Sequence, residues 1–476
     1  MDNSEELGTF RDRLSTISEQ GNRLWVYPKR PKGKYYNRRI ILSYSLLLFF
    51  LIGPFIRIKG DPMLLFNILE RKFIIFGVIF WPQDFYLFVL AMITFIVFIV
   101  LFTVVYGRLF CGWICPQTVF MEFVYRQIEY LIEGNNSRQR KLDNQPMNFE
   151  KIWKKGLKHL IFFIISLVTI CTLLAYIIGN EHLEAILYNG FSKNTGWFTG
   201  ILAFSGIHYF IFAKFREQVC ILACPYGRLQ GVLLDHNSIQ VSYDYKRGEP
   251  RGKHNPLENR EAAGKGDCIE CGSCEAVCPT GIDIRNGSQM ECINCTACMD
   301  ACNTVMTRIQ RPKGLIRYAS ERTIAEGTTL RVNGRVVFYS VVLTGLLLLI
   351  AYLFTIRTDV ETTILRVQGS MYQEYDSLHF ANIYSVQIVN KTRKEMPIQL
   401  KLEKPAGEIK MMDDSLVVKK GEVRVANFLV VVPKEELISS QTNVLIRVMN
   451  GKREIEEVKS TFVGPNLLDK NQSDHH

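Results

Sequence analysis

Residues 267–303 read DCIECGSCEAVCPTGIDIRNGSQMECINCTACMDACN. Cys268, Cys271, Cys274 and Cys278 follow the spacing C-x2-C-x2-C-x3-C, with Pro279 next, and Cys292, Cys295, Cys298 and Cys302 repeat it. This is the bacterial run for two [4Fe–4S] clusters, in which three closely spaced thiolates hold one cluster and the fourth ligates the other. The spacing predicts that Cys268, Cys271, Cys274 and Cys302 hold a first cluster, and Cys278, Cys292, Cys295 and Cys298 a second. Zinc would need only four ligands, in paired C-x2-C modules. A disulfide framework belongs to small secreted domains. Asn303, not proline, follows Cys302, which weakens a turn there but not the ligation.

The rest of the 476-residue chain is long enough for several domains. Its net charge of +11 could point to nucleic acid. No DNA- or RNA-binding motif accompanies that charge, and the lysines and arginines lie beside apolar spans, where they favour the cytoplasmic side. All thirteen cysteines lie at or before Cys302. Clusters need reduced thiols, so the ferredoxin part belongs in the cytoplasm.

Five stretches read as membrane spans: Ile40–Ile58, Phe85–Tyr106, Leu160–Ile178, Trp197–Phe212 and Val336–Ile356. The polar start, residues 1–39, is too long for a signal peptide. Segments 1–39, 107–159 and 213–335 are rich in Lys and Arg, and 59–84 and 180–196 are poor in them. The N-terminus and the cluster insert are therefore expected inside, and the chain after Ile356 outside. Residues 361–465 alternate polar and apolar in runs such as YSVQIV and EVRVANFLVVV, with Asn450-Gly451 as a hairpin signal. They predict a small immunoglobulin-like sandwich. The expected order is a cytoplasmic segment (1–39), spans one to four (40–235), a cytoplasmic 2[4Fe–4S] ferredoxin-type domain (236–335), span five (336–356), a periplasmic sandwich (357–465) and a flexible tail (466–476). The fold class is a five-helix transmembrane bundle with a ferredoxin-like insert and a C-terminal β-sandwich.

A second pair of motifs sits where spans two and four end: GRLFCGWICPQTVF, with Cys111 and Cys115, and REQVCILACPYGRLQ, with Cys220 and Cys224. Each is C-x3-C-P. Proline favours the first helical position and pushes the residue before it out of the helix. Cys115 and Cys224 should therefore cap new helices, the first over 116–132. The helix N-terminus should stabilise their thiolates, with Arg108, Arg216 and Arg228 adding to that. Four such thiols could bind soft Cu(I), cycle as dithiols or hold a further iron–sulfur centre. The bland alternative is small buried hydrophobes at helix junctions, the reading kept for Cys171. His208, inside span four, reads as a histidine bonding a neighbouring helix, with copper or haem as the functional alternative. His159 and His182 read as boundary residues, His475 and His476 as an idle tail, and Met411-Met412 as core packing.

On these stretches, together with RKFIIFGVIFWPQDF and YDYKRGEPRG, the chain resembles the CcoG family (also called FixG or RdxA) of cytochrome oxidase accessory proteins, over nearly its whole length. C-x3-C-P alone also occurs in quinol-linked membrane ferredoxins of the NapH and NosR type; RGEPRG and the single span followed by strands favour the CcoG type. Asn303 stands where members commonly carry Asp. The resemblance implies a bacterial inner-membrane protein that helps assemble the cbb(3)-type oxidase, reducing Cu(II) to Cu(I) for its copper centre. The implied partners are lipid, copper, oxidase subunits or copper chaperones, and a cytoplasmic electron donor. A quinol-linked conduit and a non-catalytic scaffold are the competing function classes.

Overall fold

The computed structural model describes residues 16–17, 20, 22–58, 60–68, 72–255, 260–327, 334–358, 360–367, 372–392, 394–412, 416–437, 439–451 and 453–465. The expected flexible tail, with His475 and His476, lies outside these. The chain divides into two compact units, Met1–Glu70 with Phe88–Leu349, and Arg71–Leu87 with Ile350–His476.

The helices, in order, are Lys34–Ile52 (α1), Phe85–Tyr106 (α2), Pro116–Ile132 (α3, with a π turn at Met121–Tyr125), Phe149–Ile178 (α4), Asn180–Lys193 (α5, broken at Gly190), Thr195–Phe210 (α6, continuing as a π turn to Phe215), Pro225–Leu233 (α7), Ala297–Arg308 (α8) and Gly334–Thr355 (α9). Among the described residues four helices have the length and apolarity to cross a bilayer: α2, α4, α6 and α9. Five were predicted, and α1 is the difference. It stops at Ile52 rather than Ile58 because Gly53-Pro54 follows, and proline has no N–H to continue a helix. It starts earlier than predicted because the Asp300 carboxylate accepts from Tyr36 N at 2.8 Å and Tyr35 N at 3.3 Å. A carboxylate there satisfies first-turn amides and complements the helix dipole. Arg38 and Arg39 then fall inside α1 and lower its hydropathy. Even so, its 19 residues give a rise of about 28 Å. Tyr176, near the far end of α4, donates to the Phe50 carbonyl at 3.0 Å, so α1 runs beside α4 to that end.

Two strands, Gln240–Tyr243 (β1) and Ile316–Ala319 (β2), pair antiparallel and flank the two cysteine runs. Their inward residues Val241, Tyr243 and Ile316 pack with Ile284, Met299 and Met306 into one core. The weakened turn expected at Asn303 is not there. Asn303 lies inside α8, and its side-chain oxygen accepts from Gly314 N at 2.9 Å.

The second unit is a sandwich. One sheet runs Glu408–Met411, Val423–Pro433, His379–Asn390, Val360–Arg366; the other runs Gln399–Lys404, Gln441–Asn450, Arg453–Val463. Alternate residues Tyr384, Val386 and Ile388 of one sheet meet Val444, Ile446 and Val448 of the other in the core. The hairpin falls at Asn450-Gly451, where Gly451 takes φ 59. Met411 and Met412 are 37 % and 52 % exposed, so they are not the core methionines expected. In the same unit Asp84, just before α2, is fully buried; Arg357 and Lys391 each donate to it at 2.7 Å.

Candidate functional site

The eight ferredoxin cysteines line two small cavities of equal size. Cys268, Cys271, Cys274 and Cys302 line the first; Cys278, Cys292, Cys295 and Cys298 line the second, where Cys274 forms a shared wall. The first cavity thus draws Cys302 from the second run, and the second cavity draws Cys278 and Cys274 from the first. Gly272 and Thr296, at equivalent places in the two runs, both sit in left-handed conformation before a helical turn, which is Ser273–Ala276 in the first run and the start of α8 in the second. That turn aims the next cysteine inward.

The donor chemistry fits an iron–sulfur cluster. Burial pushes the Cys274, Cys292 and Cys302 thiols up to about 12, and neighbouring thiolates add to it. Crowded, buried thiolates need a cationic group among them. Eight thiols divided over two cavities are twice what one zinc ion needs. A larger cluster, with its irons spread over several corners, suits thiols ranged around a cavity.

RGEPRG clasps the mouth of the first run. Arg247 donates to Asp267 at 2.6 Å, and Tyr243, a wall of the first cavity, donates to Glu249 at 3.2 Å.

The span-end motifs fold as their prolines dictate. Cys115 and Cys224 take extended ψ values of 124 and 112 and cap the helices begun by Pro116 and Pro225. Cys111 faces the Gln230 amide at 3.5 Å. The thiols lie near one another: Cys224 raises the pKa of Cys111, Cys115 and Cys220. The expected stabilised thiolates do not follow, however. Burial dominates, lifting Cys111 to about 11 and Cys220 to about 12, and raising Cys115 against the opposing backbone amides of Gln117 and Thr118. Arg108 favours the Cys111 thiolate, but Arg216 turns away to bond Glu129 at 2.9 Å.

The two cysteine systems touch. A Cβ on Gly112, between Cys111 and Cys115, would collide with the Ile293 carbonyl oxygen and lie 3.0 Å from Cys295 Cα. Cys111 packs against the cluster of Val277, Ile293 and Cys295. Arg108 binds three backbones together, donating to Gly227 O at 2.6 Å and to Met290 O.

Sequence reasoning missed a buried ionic network beneath this junction. Arg126, 2 % exposed, pairs with Glu122 and Glu217 and donates to the Pro279 carbonyl at 3.0 Å, behind Cys278. The only sequence signal was Glu122, Arg126 and Glu129 at helical spacing. His208 does what the bland reading expected. Its Nδ1 lies 3.1 Å from Ser166 Oγ on α4 and 3.4 Å from the Tyr125 hydroxyl on α3. Cys171 packs in an apolar cluster with Leu174 and Ile177.

Comparison with known proteins agrees with this arrangement. A 4Fe-4S dicluster domain model matches residues 215–321, a 4Fe-4S binding domain model matches residues 88–138, and a model of the IG-like fold at the C-terminal of FixG matches residues 350–465. Protein RdxA of Cereibacter sphaeroides is 34% identical over 80% of this chain and 83% of its own length. The chain belongs to the FixG/RdxA family. Protein RdxB of the same organism is 32% identical over 82% of this chain and 84% of itself. Nitrogen fixation protein FixG of Rhizobium meliloti is 36% identical over 65% of this chain and 60% of itself. This FixG/RdxA protein is a multi-pass membrane iron–sulfur electron-transfer protein with an Ig-like C-terminal domain.

Proposed function

We propose that this protein reduces Cu(II) to Cu(I) at Cys111, Cys115, Cys220 and Cys224, in support of cbb(3)-type oxidase assembly. The clusters, when bound, supply one-electron carriers. In the proposed ligation Cys268, Cys271, Cys274 and Cys302 hold one, and Cys278, Cys292, Cys295 and Cys298 the other. The remaining chemistry belongs to the thiols. Cu(II) takes up one electron, and the softer Cu(I) that results is the ion thiolates prefer. Binding copper displaces protons that burial otherwise holds on Cys111 and Cys220. In this reading the N-terminus and cluster domain face the cytoplasm, where a donor supplies electrons. The sandwich faces the periplasm and meets oxidase subunits or copper chaperones.

The close packing of Gly112 on Ile293–Cys295 carries the proposal, because it puts the span-end thiols against the wall of the second cavity. The test is the double variant C111S/C115S. Cupric reduction, followed with a Cu(I) chelator, should be abolished while both cluster signals stay visible by EPR. An unchanged rate would remove these thiols from the reaction.

A further inference from the structure

An apolar cavity of about 570 Å³ opens between α1, α3, α4 and α6. The rings of Phe50, Phe120 and Phe212 line it, and its polar groups are His208, Gln117 and Thr169. Ile114 and Pro116, on either side of Cys115, form part of its wall. His208 is held through Nδ1. Ser166 Oγ and the Tyr125 hydroxyl, 2.9 Å from each other, both lie against Nδ1. With Nδ1–H donated to them, Nε2 is left as an acceptor at the cavity. Phe120 stands edge-on to the imidazole, and Phe212 lies 4.7 Å from it between ring centroids.

A lipid tail needs no imidazole, and a water-soluble substrate gains nothing from walls this apolar. The ligand that needs both is a flat ring with hydroxyl or carbonyl oxygens, delivered through the bilayer. We propose that this cavity binds the ring of a membrane hydroquinone, with one hydroxyl donating to His208 Nε2. The hydroquinone is a second electron donor to the copper site, beside the cytoplasmic donor that feeds the clusters; this step rests on the cupric-reduction reading, although binding itself does not. One hydroquinone loses two electrons and two protons and becomes quinone. Two Cu(II) ions each gain one electron and become Cu(I). The proton taken at Nε2 is matched by passage of the Nδ1 proton through the Ser166 and Tyr125 hydroxyls to water, and the second proton leaves the other ring hydroxyl for water.

The test uses the full chain in lipid nanodiscs. Decylubiquinone binding is read from quenching of tryptophan fluorescence, with decylbenzene, which has the ring and tail but no oxygens, as the control ligand. Copper reduction is driven either by decylubiquinol or by protein that has been reduced with dithionite and freed of excess reductant before Cu(II) is added. Loss of one hydrogen bond predicts about tenfold weaker decylubiquinone binding in H208L, with recovery in H208Q. The cavity-filling L173W should bind neither ligand. Dithionite-driven reduction should be the same in all three variants and the wild type. Equal binding of decylbenzene and decylubiquinone, or binding indifferent to H208L, would show a lipid cavity only and overturn the proposal. Failure of dithionite to drive copper reduction in the wild type would instead overturn the cupric-reduction reading.

Discussion

Gly112→Ala tests the junction between the two cysteine systems with a single methyl group. Gly112 lies in the short helix Leu109–Trp113, so alanine suits its backbone. The new Cβ, however, would press on the Ile293 carbonyl oxygen and sit 3.0 Å from both the Asn294 carbonyl carbon and Cys295 Cα, where ordinary contact begins at 3.4 Å. All three obstacles are backbone, so no rotamer change relieves them. Overpacking of this kind costs about 1–3 kcal/mol. The strain is released only by moving the Cys111 helix away from the Ile293–Cys295 loop, and a misplacement near 1 Å lowers a geometry-dependent rate by up to about 100-fold. We expect cupric reduction to fall by tenfold or more, with a lowered melting temperature and both clusters present by EPR. G156A is the control, because nothing lies within 4 Å of its new Cβ inside α4. It should be neutral or gain about 0.4–1 kcal/mol. If G112A matched G156A in rate and stability, the claimed close packing would be wrong.

Arg126→Ala leaves Glu122 and Glu217 buried without their shared guanidinium, a loss of about 3–5 kcal/mol. A melt of the full protein should show it, and a loss below about 1 kcal/mol would mean the network is dispensable. Asp84 supplies a pH dependence: burial alone would raise its pKa, but hydrogen bonds from Arg357 and Lys391 hold it below the usual carboxylate value. Its contribution is therefore present above the unfolded pKa of about 3.9 and lost as pH falls through the depressed folded one. The gap in melting temperature between wild type and D84N should close on acidification below about pH 4; a gap that stayed constant would refute the ion pairing.

Local patterns in this chain were legible where a local cause decides the structure. The predicted span Phe85–Tyr106 has the same bounds in the structure because an unbroken apolar run lies between Asp84 and Gly107. The sandwich strands carry their own alternation, and the prolines after Cys115 and Cys224 set both caps. Distant causes were not legible. The N-terminal end of α1 depends on Asp300, 264 residues further on from Tyr36. Arg126 finds Glu217 and Pro279 from elsewhere in the fold. The thiol pKa values were misjudged for a related reason. A helix N-terminus can be seen in the sequence, but the burial that outweighs it at Cys115 arises only on packing.

The Asp300 cap also bears on the order of biogenesis. Tyr35 and Tyr36 leave the ribosome long before the carboxylate that receives their amides exists. Lys29 likewise waits for the Ala276 carbonyl it donates to at 2.7 Å. The hydrogen bonds of Lys29, Tyr35 and Tyr36 therefore form only after translation has passed position 300, although α1 can already lie beside α4.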